Sequence, residues 1–246
     1  MDISKYIAGG YIVTQFVEGA SYNSWMRSVL HATEDLLPVQ FLSVAICGAS
    51  RAPIFEWATY PEEDYARFGI SDRLPELGQW ANERYEKEIG YPDIFFYLAT
   101  AREYVERFTS VPDIEIVGIG VHEQDLHYVA EAELLRPESV NENGSVNSGF
   151  SRTGFAEAVR LADPCEPGEV LGFEVICCYY NIDHSWHCNG LAVYARREFG
   201  FRPNQFGMID DKTDADKVVR WINNGEPKPE MGVWLPVLVS RYPAVP

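Results

Sequence analysis

Residues 171–180 read Leu-Gly-Phe-Glu-Val-Ile-Cys-Cys-Tyr-Tyr, and no other stretch of the chain restricts the fold as much. Branched, aromatic and thiol side chains follow one another with a single charge, Glu174, among them. A strand with one wet face alternates apolar and polar residues, whereas an unbroken run needs both faces covered. The run predicts a central strand with Val175 and Ile176 in the core and other layers on either side of it.

The rest of the chain supplies candidates for those layers. From Asp72 onward, Leu74, Leu77, Ala81, Tyr85 and Ile89 recur at spacings of three and four, the signature of one helix face ending at Gly90. After Pro92, the positions Phe95, Leu98, Arg102, Val105 and Phe108 repeat the pattern, so an αα-hairpin is expected near 72–109. Further helices are expected over 22–32, 122–135, 155–162, 183–199 and 213–223. The second of these turns Leu126, Val129, Ala130 and Leu134 inward. The fourth is capped by Asp183 or Ser185 and stopped by Gly200. The last starts on a Thr213/Asp216 capping box and carries the stripe Ala215, Val218, Val219 and Ile222.

Strands are expected over 11–17, 42–47, 114–121 and 233–239, and Pro236 inside the last argues for an edge or a bulge. The class is therefore α/β or α+β, a mixed sheet with amphipathic helices packed on it. The 246 residues suit a single compact domain over 1–246, with two lobes, 1–112 and 113–246, as the alternative. The polar, glycine-bearing stretch 136–152 reads as a mobile loop.

Charge narrows the partners. The chain carries 37 acids and 20 bases, a formal net charge of -17, which repels phosphate backbones and anionic lipid. Residues 113–195 hold 14 acids against 3 bases, so a partner-binding face is sought there, and Glu123, Asp125, Glu131 and Glu133 on the expected helix 122–135 are its candidates. The expected partner is a basic protein, not nucleic acid and not a membrane; oligomeric state is left open. The five cysteines are odd in number and lack a C-x-x-C pair, and neither a secretory signal nor an apolar span is visible, which points to a cytoplasmic protein.

One cluster invites chemistry: Asp183-His184-Ser185-Trp186-His187-Cys188. On a helix, His184 would face His187 and Cys188, and Glu174 or Asp183 would orient a ring, giving a thiol nucleophile with its base or part of a metal site. Neighbouring positions on a helix point about 100° apart, so His187 and Cys188 diverge, and no full zinc set results. The plainer reading packs Trp186 and Cys188 inward. His122 and His127, five apart, are read as surface or cap residues. The chain has no phosphate-binding G-x-x-x-x-G-K-[ST] loop, no G-x-S-x-G elbow and no H-E-x-x-H helix. No cofactor and no metal is expected. The leading function is a non-enzymatic acidic binding protein, of a neutralising or immunity type. An enzyme using His184, His187 and Cys188 with Glu174, and a structural or assembly component, are the alternatives.

Overall fold

The computed structural model describes residues 1–15, 17–18, 40–44, 52–54, 62–91, 93–134, 154–178, 182–225 and 232–244. In chain order the strands are β1 Tyr6–Thr14, β2 Val17–Glu18, β3 Gln40–Phe41, β4 Ile89–Gly90, β5 Ile94–Phe95, β6 Glu115–His122, β7 Glu169–Cys178, β8 Ile182–Ser185 and β9 Val233–Tyr242. The helices are α1 Glu62–Arg67, α2 Leu74–Arg84, α3 Leu98–Phe108, α4 Leu126–Leu134, α5 Gly154–Leu161, α6 Leu191–Phe199 and α7 Lys212–Asn223. The helix expected over 22–32, the loop over 136–152 and the second half of the strand expected over 42–47 lie outside the described residues.

Seven strands form one sheet in the order β4-β5-β1-β6-β9-β7-β8, and β2 pairs with β3 separately. Every neighbouring pair in the large sheet runs antiparallel, so the sheet is not mixed in strand direction, while the mixed α/β class with helices on a sheet holds. Strands from residues 1–112 (β4, β5, β1) and from 113–246 (β6, β9, β7, β8) occupy opposite halves of this one sheet and join where β1 lies beside β6.

Alternation along the strands separates the core onto two faces. One face gathers Ile12, Val117, Ile119, Ile176, Leu235, Val237 and Val239 with Val129 of α4 and Phe155 of α5. On the other, Tyr11, Val13, Phe95 and Ile116 meet the aromatic side of α2 and α3. Farther along that face, Phe173, Val175, Cys177 and Trp234 meet α6 and α7. A bulge between Ala8 and Tyr11 lets α5 sit close on β1. Gly10 there has φ +100, and a Cβ on Gly9 would stand 2.6 Å from the Phe155 ring.

The expected central strand is present as β7, between β9 and β8, with Val175 and Ile176 wholly buried. Ile176→Val, which removes one methyl group from this position, should lower the unfolding free energy by about 0.5–1.5 kcal/mol in a urea titration. An unchanged midpoint would show that the site is loosely filled.

The two helices of the expected hairpin pack together, Trp80 lying 6.0 Å from Tyr104 and 5.3 Å from Phe108 between ring centroids, and Arg84 meeting Glu103 at 3.1 Å. Their connection is not a tight turn. The first helix stops at Arg84, and β4 and β5 extend the sheet before the second begins at Leu98.

β9 is central, yet Pro236 sits where the expectation of an edge is met locally. Pairing with β6 ends at Gly120 opposite Leu238, so Pro236 has a strand neighbour only in β7, opposite Val175. Along the same open side, the Asn223 amide takes both backbone groups of Trp234: Nδ2 donates to its carbonyl at 2.8 Å and Oδ1 accepts its N–H at 3.2 Å. α7 is capped not by Thr213 but by Asp211, whose carboxylate accepts the Thr213 N–H at 2.7 Å. Asp216 instead meets Lys212 at 2.8 Å.

Candidate functional site

Glu174 lies in the middle of β7 and is 1% exposed. A carboxylate so placed needs donors, and it has two from a segment 130 residues away: the Ser43 hydroxyl donates to Oε1, and the Val44 N–H donates to Oε2 at 2.7 Å. The preceding residue of that segment, Leu42, donates its N–H to the Phe206 carbonyl at 3.1 Å.

Phe206 belongs to a loop organised by Asn204. Its Oδ1 accepts the N–H groups of Phe206 (2.9 Å) and Met208 (3.1 Å), and its Nδ2 donates to the Leu171 carbonyl and to Asp210, both at 2.8 Å. Ile209 then exchanges both backbone bonds with Phe173, at 2.7 and 2.9 Å. A single amide thus closes the loop and fastens it to β7. Sequence reasoning passed over Asn204; the turn-forming run Pro203-Asn204-Gln205-Phe206-Gly207 was the signal that marked it.

His187 completes the network. It is 1% exposed, and its Nε2 stands 2.5 Å from the Gly207 carbonyl. A carbonyl only accepts, so Nε2 carries the proton. Burial pushes the imidazole down to about 4, against which the Gly207 bond acts, and the ring is neutral at pH 7. Its backbone N–H donates to Ser185 Oγ at 3.2 Å. Glu174, Ser43–Val44, Leu42, the 204–210 loop and His187 therefore form one hydrogen-bonded chain, buried at Glu174 and His187, that ties three segments to the central strand.

The helix expected over 183–199 begins only at Leu191. Residues 182–185 are strand β8, with His184 opposite Cys177 and Ser185 opposite Ile176. The chain doubles back on β7 here, and the Trp186 N–H extends the ladder to the Val175 carbonyl at 2.8 Å. Gly190, in the left-handed region at φ +71, then admits α6. His184, His187 and Cys188 consequently fall on a strand, a turn and a 3₁₀ turn rather than on one helix face. Cys188 and Trp186 are buried, as the plainer reading has it. Among the described residues, no group of three His, Cys, Asp or Glu is placed to hold a metal ion. His122 and His127 both bind Gln124: His122 Nδ1 accepts its N–H at 3.2 Å, and His127 Nδ1 donates to its carbonyl at 2.8 Å.

Of the four acids expected to meet a partner, Glu123 and Glu131 are exposed, and the Glu133 side chain lies outside the description. Asp125 is a correction. It is 7% exposed, and its Oδ2 pairs with Lys212 Nζ at 2.9 Å. Residues 123–125 form a 3₁₀ turn before α4, which changes the phase assumed for a continuous helix and swings Asp125 over the start of α7.

Compared with family models, curated proteins and solved structures, the chain matches none of them. Its fold and this network define a helix-flanked antiparallel sheet protein of the mixed α/β class, in which the buried polar groups hold segments in place.

Proposed function

We propose that the chain is an acidic binding protein of the neutralising or immunity type, which covers a basic protein partner. The acid excess of residues 113–195, with Glu123 and Glu131 exposed at α4, carries this reading. The Asp125–Lys212 pair brings the start of α4 to the start of α7, where Asp210 and Asp211 are exposed too, so the face extends beyond residue 195. A field of this sign steers a basic surface during encounter and rejects phosphate. The binding of His187 to Gly207 and the burial of Cys188 favour this reading over a thiol- or metal-dependent enzyme. The odd number of cysteines and their lack of a C-x-x-C pair are in keeping with a reducing, cytoplasmic setting. No helix among the described residues is long and apolar enough to cross a membrane.

The test reverses Glu123, Glu131 and Glu133 to Lys and leaves Asp125 alone, since its loss would strip Lys212 of a partner. Association with immobilised poly-L-lysine should slow by about tenfold at low salt, and its salt dependence should flatten. Stability should stay within about 0.5 kcal/mol of the parent, as expected for surface substitutions. An intact fold with unchanged association would overturn the docking face.

A further inference from the structure

Two histidines hold one residue of the acidic face, Gln124, by bonds of opposite kind. His122, the last residue of β6, is half-buried and caps the 3₁₀ turn 123–125 with its ring: Nδ1 meets the Gln124 N–H at 3.2 Å. A backbone N–H only donates, so Nδ1 is bare and the ring proton sits on Nε2. His127, exposed on α4, meets the Gln124 carbonyl with Nδ1 at 2.8 Å. A carbonyl only accepts, so in this ring the proton is on Nδ1.

A second proton therefore acts differently on the two rings. On His127 it goes to Nε2, and the bond to Gln124 survives. On His122 it has to go to Nδ1, which sets two N–H groups against each other and ends the cap. The capped turn is what gives α4 its phase, with Asp125 on Lys212 and Glu123 outward. Tyr6 of β1 faces the His122 ring edge-on at 5.0 Å, Glu123 follows it in the chain, and Asp125, Lys212, Asp216 and Cys165 lie near Tyr6. Lys212 already pairs with Asp125 at 2.9 Å and with Asp216 at 2.8 Å. Of the residue types gathered here, only histidine ordinarily changes charge between pH 5 and 8.

We propose that His122 makes the docking of a basic partner pH-dependent: neutral, it caps the turn that presents Glu123, and protonated, it lets go of Gln124 and adds a positive charge beside the acids, so that acidification releases the partner. This regulation rests on the acidic-face reading above. The protonated face loses on two counts. A charge of the partner's own sign opposes encounter, and an uncapped turn no longer holds Glu123 and Asp125 in one arrangement. His127 contributes the first effect alone, since its bond to Gln124 is kept in both states.

Immobilised poly-L-lysine is the probe, with the full chain at constant ionic strength and at about pH 8 and about pH 5.5, a range in which lysine stays charged and ordinary carboxylates stay largely ionised. Binding to the parent should weaken by about fivefold at the lower pH. Asparagine accepts the same N–H as a cap and does not titrate, so His122→Asn should remove most of that loss, and His127→Gln less of it. In the parent the Gln124 N–H resonance should move between the two pH values and its hydrogen-exchange protection should fall at the lower one; in His122→Asn neither should happen. An equal pH dependence of binding in His122→Asn and the parent overturns the proposal. Failure of the acidic face itself shows separately, as binding at the higher pH that the Glu123, Glu131 and Glu133 reversals leave unchanged, and it overturns the partner without touching the cap. A Gln124 N–H resonance that pH does not move in the parent overturns the cap, whether or not His122→Asn folds.

Discussion

Glu174→Ala should destabilise the protein by roughly 2–5 kcal/mol, the largest loss expected from any single change at the network. The carboxylate is the acceptor for the Ser43 hydroxyl and the Val44 N–H. A buried donor left without its acceptor costs about 1–3 kcal/mol, and two are released at once. The hydroxyl can rotate toward another acceptor; the backbone N–H of Val44 cannot. Leu42 and Val44 are themselves core residues, so detaching the segment also exposes apolar surface. Ser43→Ala alone should cost about 1–3 kcal/mol, because it takes one donor from the buried Glu174 carboxylate. Made in the Glu174→Ala background, Ser43→Ala should cost less than it does alone, since the bond is already gone, and the difference is the coupling between the two side chains. Chemical denaturation of the four proteins of this cycle is the measurement. A Glu174→Ala loss under about 1 kcal/mol, or strictly additive effects, would show that the segment is held by its apolar side chains alone.

Legibility from sequence followed the length and regularity of each element. β7 was readable because an unbroken apolar run has few other uses, and α7 because Ala215, Val218, Val219 and Ile222 fall on one stripe, all of them buried. β8 was not readable. Four residues containing Asp183, His184 and Ser185 have the composition of a helix cap, and only the pairing with β7 makes them a strand. β4 and β5, two residues each, leave no periodicity at all. For the site, Glu174 stood out as the one charge in the run 171–180, but its partners did not. Ser43 and Val44 are 131 and 130 positions away and carry no local mark of what they touch. Asp125 was misplaced for a subtler reason. A 3₁₀ turn advances by a different angle per residue than an α-helix, so three residues of it suffice to turn an outward acid inward. His187 was recognised as part of a conspicuous cluster, yet its partner, a backbone carbonyl in a loop twenty residues on, is a contact that side-chain spacing does not encode.

That contact makes His187 the natural source of acid sensitivity. Its folded pKa, about 4, lies below the ordinary value of 6.5, with burial as the main cause. Between those values the unfolded chain binds a proton that the folded chain does not, so stability is full above pH 6.5 and falls as the pH drops toward 4. The direction follows from the site: a second proton on the ring must go to Nδ1, inside the protein, because Nε2 already donates to Gly207. Linkage puts the loss between pH 7 and pH 5 at about 2 kcal/mol, over a range where ordinary carboxylates have scarcely begun to titrate. Urea midpoints at pH 7 and pH 5 measure it. His187→Gln should remove most of this pH dependence, since an amide does not titrate. It should also lower stability at pH 7 by about 1–3 kcal/mol, because its shorter side chain holds the Gly207 carbonyl less well. The size of the pH-dependent loss, not the loss at pH 7, is the discriminating quantity. Any packing defect would produce the latter, whereas only a buried neutral imidazole that must take up a proton on unfolding produces the former. Equal pH dependence in the parent and in His187→Gln would assign the acid sensitivity to other groups and leave His187 as a packing residue.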